Sequence, residues 1–228
     1  MDNILLRILL DSYERRQKVE PGTGKNGPFV TISRDYGCQA NVLAEMLARA
    51  IAAKGSHWKV MNKEVILEAA RELNVDPEKV RQVEGSLERG TLDEVLSSLT
   101  TKYYKSDRKV RQAIASVVIA AAETGNVIIV GRGGAAITQG MPKAVHIKLS
   151  APVQWRLDNL ISRHNLKRED TVKTLASIDH KRYKMLRDYM KGSQDLNELY
   201  DVVINCSKVS HYESVEMIME MLESRGLV

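Results

Sequence analysis

Cysteine is scarce in this chain: Cys38 and Cys206 are the only two among 228 residues. They lie far apart with no CxxC or Cys/His spacing, which argues against a disulfide framework and a zinc site and fits a reducing, cytoplasmic setting. Long apolar runs are missing too. The N-terminal stretch MDNILLRILLDSYERRQ is interrupted by Asp2, Arg7 and Asp11, so it is too short and too charged for a signal peptide or a membrane span. Its Ile4, Leu5, Ile8 and Leu9 predict instead an amphipathic helix that docks on this protein or on a second copy, making a homodimer the expected assembly. There is no internal repeat, low-complexity tract or Lys/Arg block. The excess of 34 Lys+Arg over 29 Asp+Glu suits a phosphorylated partner, but without a recognised binding motif it does not call for nucleic acid.

What is present reads as alternating strands and helices. Residues 1–27 form the N-terminal helix and a turn-rich linker, Pro21 to Gly27. The linker's Gly24-Lys25 precedes a strand instead of following one, so it is no phosphate loop. The apolar run Phe29-Val30-Thr31-Ile32 predicts the first strand. Leu43, Met46, Leu47, Ala50 and Ile51 then recur at helical spacing. Trp58 to Met61 predicts a short strand, and Asp76-Pro77 and Thr91 to Glu94 carry helix-start signals. A helix over about Asp107 to Glu123 is ended by Gly125-Asn126. Val127 to Val130 and Ala144 to Leu149 predict buried strands. Pro152 starts a helix to about His164, a loop covers Asn165 to Asp170, and a long helix runs from Thr171 to Met190. Val202 to Ile204 is the last strand, and Ser210-x-x-Glu213 caps the last helix. Five strands separated by helices imply an α/β fold, three layers with a five-stranded parallel sheet.

In such a sheet, ligands bind beyond the carboxyl ends of the strands. Two glycine turns fall there: Ser33-Arg34-Asp35-Tyr36-Gly37 and Gly131-Arg132-Gly133-Gly134. The first opens directly into a helix, whose N-terminal N–H groups and partial positive charge favour a phosphate. Gly37 lets the backbone approach an anion, and Arg34 or Arg132 offers a bidentate fork. The same residues also suit plain tight turns with solvated arginines. Asp35, the only acid of the first turn, is a candidate Mg²⁺ ligand or a solvated side chain. Asp179 and Arg182 stand three apart on a helix and suit a surface pair. Cys38 suits a small residue filling a serine or alanine position, and His146 a hydrogen-bonded core residue. Trp155 and Tyr183 suit packing.

Five segments in order, VTISRDYGCQANVLAEMLARAI, VIIVGRGGAAI, VHIKLSAPVQWRLDNLISR, IDHKRYKMLRDYM and YDVVINCSKV, resemble the cytidylate-kinase-like family of nucleoside monophosphate kinase folds. The resemblance covers about residues 28–222 and implies a P-loop NTPase-like architecture with a 28–228 domain. Within it, about 62–106 would be the monophosphate-binding-like helical region and about 156–190 the lid-like region. It implies a kinase that moves the ATP γ-phosphoryl group, with Mg²⁺, to a nucleotide or related small acceptor; the alternative is a catalytically impaired nucleotide-binding regulatory protein of the same fold. Catalytic roles would fall to Arg132, Asp179 and Arg182. Nucleotide and phosphate contacts would fall to Ser33, Arg34, Tyr36, Gly37, Cys38, Gln39, Ala40, Asn41, Gly131, Gly133, Arg156, Arg163 and Arg187.

The chain departs from the pattern where charge matters. A standard phosphate loop supplies a Lys for the β- and γ-phosphates and a Ser/Thr hydroxyl for Mg²⁺; here those places hold Ala40 and Val42. Gly133 replaces an acid, Leu175 an arginine, and Asn41 another arginine of the family's looser pattern.

Overall fold

Five short runs, mostly rich in β-branched residues, become neighbouring parallel strands: β1 (Phe29–Arg34), β2 (Lys59–Met61), β3 (Val127–Val130), β4 (Ala144–Ser150) and β5 (Val202–Asn205). The structure is a computed structural model that describes residues 27–66, 108–190 and 195–228. The expected N-terminal helix, Gly24-Lys25, the Asp76-Pro77 and Thr91 to Glu94 helix starts and most of the 62–106 region lie outside them. The strand order is β2-β3-β1-β4-β5. Ile32 stands opposite both Val130 and Ile147, so the carboxyl ends of β1, β3 and β4 open side by side.

Helices α1 (Ala40–Ala53), α2 (Arg108–Thr124), α3 (Gly134–Ile137), α4 (Val153–His164), α5 (Arg168–Tyr189) and α6 (His211–Ser224) complete the described fold. Strand alternation divides the core in two. Val30, Ile32, Ile128, Val130, Val145 and Ile147 meet Leu43, Leu47 and Ile51 of α1 and Ile218 and Leu222 of α6. Phe29, Val127 and Ile129 face the other way, onto Ile114, Val117 and Val118 of α2. A sheet with apolar side chains on both faces needs both covered, hence three layers. Leu43, Leu47 and Ile51 are fully buried, worth about 5–9 kcal/mol of gross transfer free energy. That stripe, at i, i+4 and i+8, is what makes 40–53 a helix docked on the sheet. No helix among the described residues is long and apolar enough to cross a membrane.

Boundaries differ from expectation where local electrostatics or steric fit acts. Helix α5 begins at Arg168, inside the expected loop, because Glu169 and Asp170 sit in its first turn, where the helix dipole favours acids. Asn165, in the left-handed region at φ 50°, ends α4. Pro152 precedes the first helical residue of α4 instead of occupying it, with ψ 142°. The short α3 and a 3₁₀ turn at Leu196–Leu199 span too few residues to leave a periodic signature. The capping box of α6 forms as expected: Ser210 Oγ accepts from Glu213 N at 3.2 Å, and Ser210 N donates to Glu213 Oε2 at 2.8 Å.

Candidate active site

The turn after β1 leaves the sheet through one last bond, Asp35 N to the Leu149 carbonyl at 2.9 Å. Gly37 follows with φ 95°. A Cβ there would lie 3.1 Å from Arg156 Cβ and 3.3 Å from its carbonyl oxygen, so glycine supplies both the conformation and the room. Helix α1 then opens at Ala40. Its N-cap, Gln39, makes no side-chain capping bond, and no acid stands in the first turn. Ala40 N donates to the Cys38 carbonyl at 2.7 Å, which leaves the Asn41 and Val42 N–H groups as the first-turn donors without a side-chain cap at the positive end of the helix dipole. Where a standard loop has Lys and Ser/Thr, Ala40 is buried at 2% exposure and Val42 is 45% exposed.

Two helices hold this turn from outside. Asp179 of α5 accepts from Tyr36 N at 2.7 Å and pairs with Arg156 Nη1. The same Nη1 donates to the Tyr36 carbonyl at 3.0 Å, and Nε donates to the Ala151 carbonyl at 3.0 Å. Asn159 of α4 donates to the Gly37 carbonyl at 3.2 Å. Arg156 is 5% exposed, and a charge so buried needs this pairing and these hydrogen bonds. Arg156 and Asp179, expected on phosphate and acceptor, are thus bound to each other and to the loop backbone. Asp179 does not pair with Arg182, so the three-residue spacing is no surface pair.

Uncompensated positive charge gathers one step deeper. The Arg34 guanidinium lies on Gly131: a Cβ at that glycine would sit 1.8 Å from Arg34 Nη1. Burial, then the nearby Arg182 and Arg132, push the Arg34 guanidinium below its usual value, with Glu64 pulling weakly the other way. No carboxylate among the described residues lies at ion-pair distance from it. Arg182 donates to the Arg34 carbonyl at 3.1 Å and stacks over the Tyr36 ring at 5.5 Å. Burial lowers its pKa as well, opposed by Asp179. Like charges held together in a half-buried setting favour an anion beside them.

Two crevices flank these arginines. One, of about 380 Å³, runs along Gly37 to Val42 and reaches Arg163 at the end of α4. The other, of about 310 Å³, lies beyond β1, β3 and β4 and includes Ser33, Asp35, Gly131, Gly133 and Lys148. Arg34 and Arg182 line both. Arg132 lines neither; at φ 54° it carries the turn between Gly131 at 75° and Gly133 at 72°, and Gly133 leaves room for the Tyr189 ring. Arg187 also lines neither and donates to Tyr183 Oη at 3.2 Å.

Lys148 and Tyr200 are site residues that sequence reasoning passed over. Lys148 Nζ stands 3.8 Å from Asp35 Oδ1, and Tyr200 bonds Ser33, with burial raising its pKa. The alternation of His146, Lys148 and Ser150 with buried Val145, Ile147 and Leu149 along β4 is the signal that could have marked Lys148. His146 is the expected core residue: its Nδ1 meets Thr31 Oγ1 at 2.8 Å, its backbone N donates to Asp201 Oδ2 at 2.7 Å, and burial lowers its pKa.

Among the described residues no three His, Cys, Asp or Glu side chains gather as a metal site. Asp35 accepts from Ser150 Oγ at 2.6 Å through Oδ2. One partly committed carboxylate fits Mg²⁺ only in the manner of an ion held mainly by phosphate oxygens and water.

Comparison with known structures supports the fold. A protein from Eubacterium ventriosum superposes with a TM-score of 0.62 at 18% identity, covering 86% of this chain and 98% of its own. Shikimate kinase from Acinetobacter baumannii, in complex with shikimate, gives 0.51 at 12% identity, covering 90% and 97%. Uronate isomerase of Corynebacterium glutamicum is 24% identical over 115 residues, half of this chain. The chain spans only 22% of that curated relative's length. The model of the cytidylate kinase-like family matches residues 29–208, a span that includes both glycine turns, the Asp179–Arg156 clamp and Arg182. The chain belongs to the cytidylate kinase-like family and has the P-loop kinase fold.

Proposed function

We propose that the protein binds ATP along the Gly37 turn and moves its γ-phosphoryl group to a nucleotide or other small acceptor in the second crevice. The carrying observation is that Arg34 and Arg182, half-buried and without a carboxylate at ion-pair distance among the described residues, line both crevices. A phosphoryl group between them touches donor and acceptor sides at once. Phosphoryl transfer requires positioning and charge neutralisation more than covalent chemistry. Here the Asn41 and Val42 N–H groups at the start of α1 receive the donor phosphates. Asp179, Arg156 and Asn159 act as positioning residues by holding the Tyr36–Gly37 backbone. Arg34 and Arg182 supply the charge that the loop's missing lysine does not. Arg163 faces the donor side. Mg²⁺ would add further neutralisation of phosphate charge, with Asp35 as its protein carboxylate. Family membership supports a nucleotide as the ligand class.

The test is formation of nucleoside diphosphate from ATP with a panel of monophosphates, comparing the parent with Arg34→Met. Turnover that Arg34→Met lowers about a hundredfold, as for one lost charge-stabilising donor, is the expected result. No turnover with any acceptor sinks the kinase reading. A second reading, a nucleotide-binding regulatory protein, is favoured by the buried Ala40 and exposed Val42. It predicts no turnover, yet about 2.7 kcal/mol of stabilisation by ATP at a hundred times its Kd.

A further inference from the structure

The phosphate turn meets the far end of the sheet through sulfur. Cys38 lies within the turn at 4% exposure, and half-buried Cys206 directly follows β5. The strand order places β5 two strands from β1. Yet both cysteines pack in one apolar cluster, and each thiol is the other's largest electrostatic influence. The backbone converges on the same spot. Cys206 N donates to the Ser150 carbonyl at 2.8 Å, Ser150 Oγ donates to Asp35 at 2.6 Å, and Cys38 N donates to the Asp35 carbonyl at 3.2 Å.

We propose that Cys38 and Cys206 form a reversible intramolecular disulfide that reshapes the Gly37 turn and weakens nucleotide binding there. The disulfide stands on the shared cluster and on the backbone bonds that bring the two segments together; its effect on nucleotide rests on the function proposed above. The contact divides the roles. The Cys206 thiol is lowered by its neighbour Cys38, while Cys38 is raised by Cys206 and by burial. Cys206 is also the more exposed, so it is the sulfur that meets an oxidant. With a peroxide, the Cys206 thiolate attacks one oxygen; the S–O bond forms as the O–O bond breaks, leaving sulfenic acid and hydroxide. The Cys38 sulfur then attacks the sulfenic sulfur; the S–S bond forms, the S–O bond breaks, and the Cys38 proton leaves with the departing hydroxide as water. Two thiols and one peroxide yield one disulfide and two waters. An S–S bond is about 2.05 Å long, shorter than any non-bonded sulfur contact, so one side must move. Cys206 N is bonded to β4 and Cys38 N to the Asp35 carbonyl. Closing the bond therefore pulls on a turn that Asp179, Arg156 and Asn159 hold by its backbone, and strains that grip.

The full chain is treated with hydrogen peroxide, and intact mass, peptide mapping, amide exchange of residues 37–42 and ATP affinity are measured before and after dithiothreitol. The expected result is loss of two hydrogens, a peptide linking Cys38 to Cys206, altered exchange in the turn and ATP binding about tenfold weaker, all reversed by reductant. Cys206→Ser keeps the parent's ATP affinity in peroxide. Sulfinic acid on Cys206 with Cys38 still alkylated overturns the proposal. So does a linked peptide without change in exchange or affinity. If the reduced protein binds no ATP, the nucleotide reading fails, and mass and exchange still decide the disulfide.

Discussion

The two glycine turns at the carboxyl ends of β1 and β3 are alike in sequence and unlike in how they are held. The Gly37 turn is gripped from outside, by Asp179, Arg156 and Asn159 on its backbone. The Gly131–Gly133 turn is shaped from within, by three successive left-handed residues, and its glycines yield space to Arg34 and Tyr189. The first turn keeps a positive-φ glycine leading into a helix N-terminus, without the charged side chains of a standard loop. The second contributes room more than charge, since Arg132 lines neither crevice. The cationic centre comes from a third place, the last residue of β1 and a turn of α5, as Arg34 and Arg182.

Breaking the outside grip should have the largest effect. Asp179→Ala leaves the buried Arg156 guanidinium without its carboxylate, at a cost of about 3 kcal/mol, the low end for a broken buried pair because the Asp179 side chain is 26% exposed. Urea unfolding measures it, and a loss under about 1 kcal/mol would mean that the turn is not held by this pair. Next, Gly131→Ala places a methyl on Arg34 and forces a left-handed alanine, about 2 kcal/mol. ATP affinity should fall with it; a variant that binds ATP normally would separate Arg34 from the site.

Arg34→Met reverses the sign. Replacing a half-buried cation that has no carboxylate at ion-pair distance among the described residues with an apolar side chain should raise stability by about 1 kcal/mol while weakening ATP binding, as expected where function is held at a cost in stability. Lower stability would imply a carboxylate partner. Smallest is Thr138→Val, which removes the 2.8 Å bond from Thr138 Oγ1 to the Gly134 carbonyl. The carbonyl still accepts from Thr138 N, so the cost should be about 1 kcal/mol or less, with ATP affinity unchanged. An affinity loss would mean that α3, and not the glycines, sets the second turn.

Most of the described fold is legible because its signals are local. The β-branched runs at Val127 to Val130 and Val202 to Ile204, the apolar stripe of α1 and the Ser210/Glu213 capping box each act within a few residues. The resemblance reached the family and the two turns. Arg156 and Asp179, expected on ligands, meet the Tyr36 backbone and each other, and Asp179 also lines the second crevice. The resemblance also grouped Arg132 and Arg187 with arginines whose side chains alone reach both crevices. No periodicity carries the meeting of Cys38 and Cys206, because most of the chain separates them in sequence and β4 lies between their strands.

By itself the sequence determined the layers: apolar residues on both faces of each central strand require helices on both sides, and glycine at 37, 131 and 133 requires turns where they fall. Only the tertiary structure decided which charges are spent and which remain. Burial makes an arginine costly unless paired, and pairing depends on which carboxylate the fold brings within reach. It brought Asp179 to Arg156 and left Arg34 and Arg182 facing the two crevices.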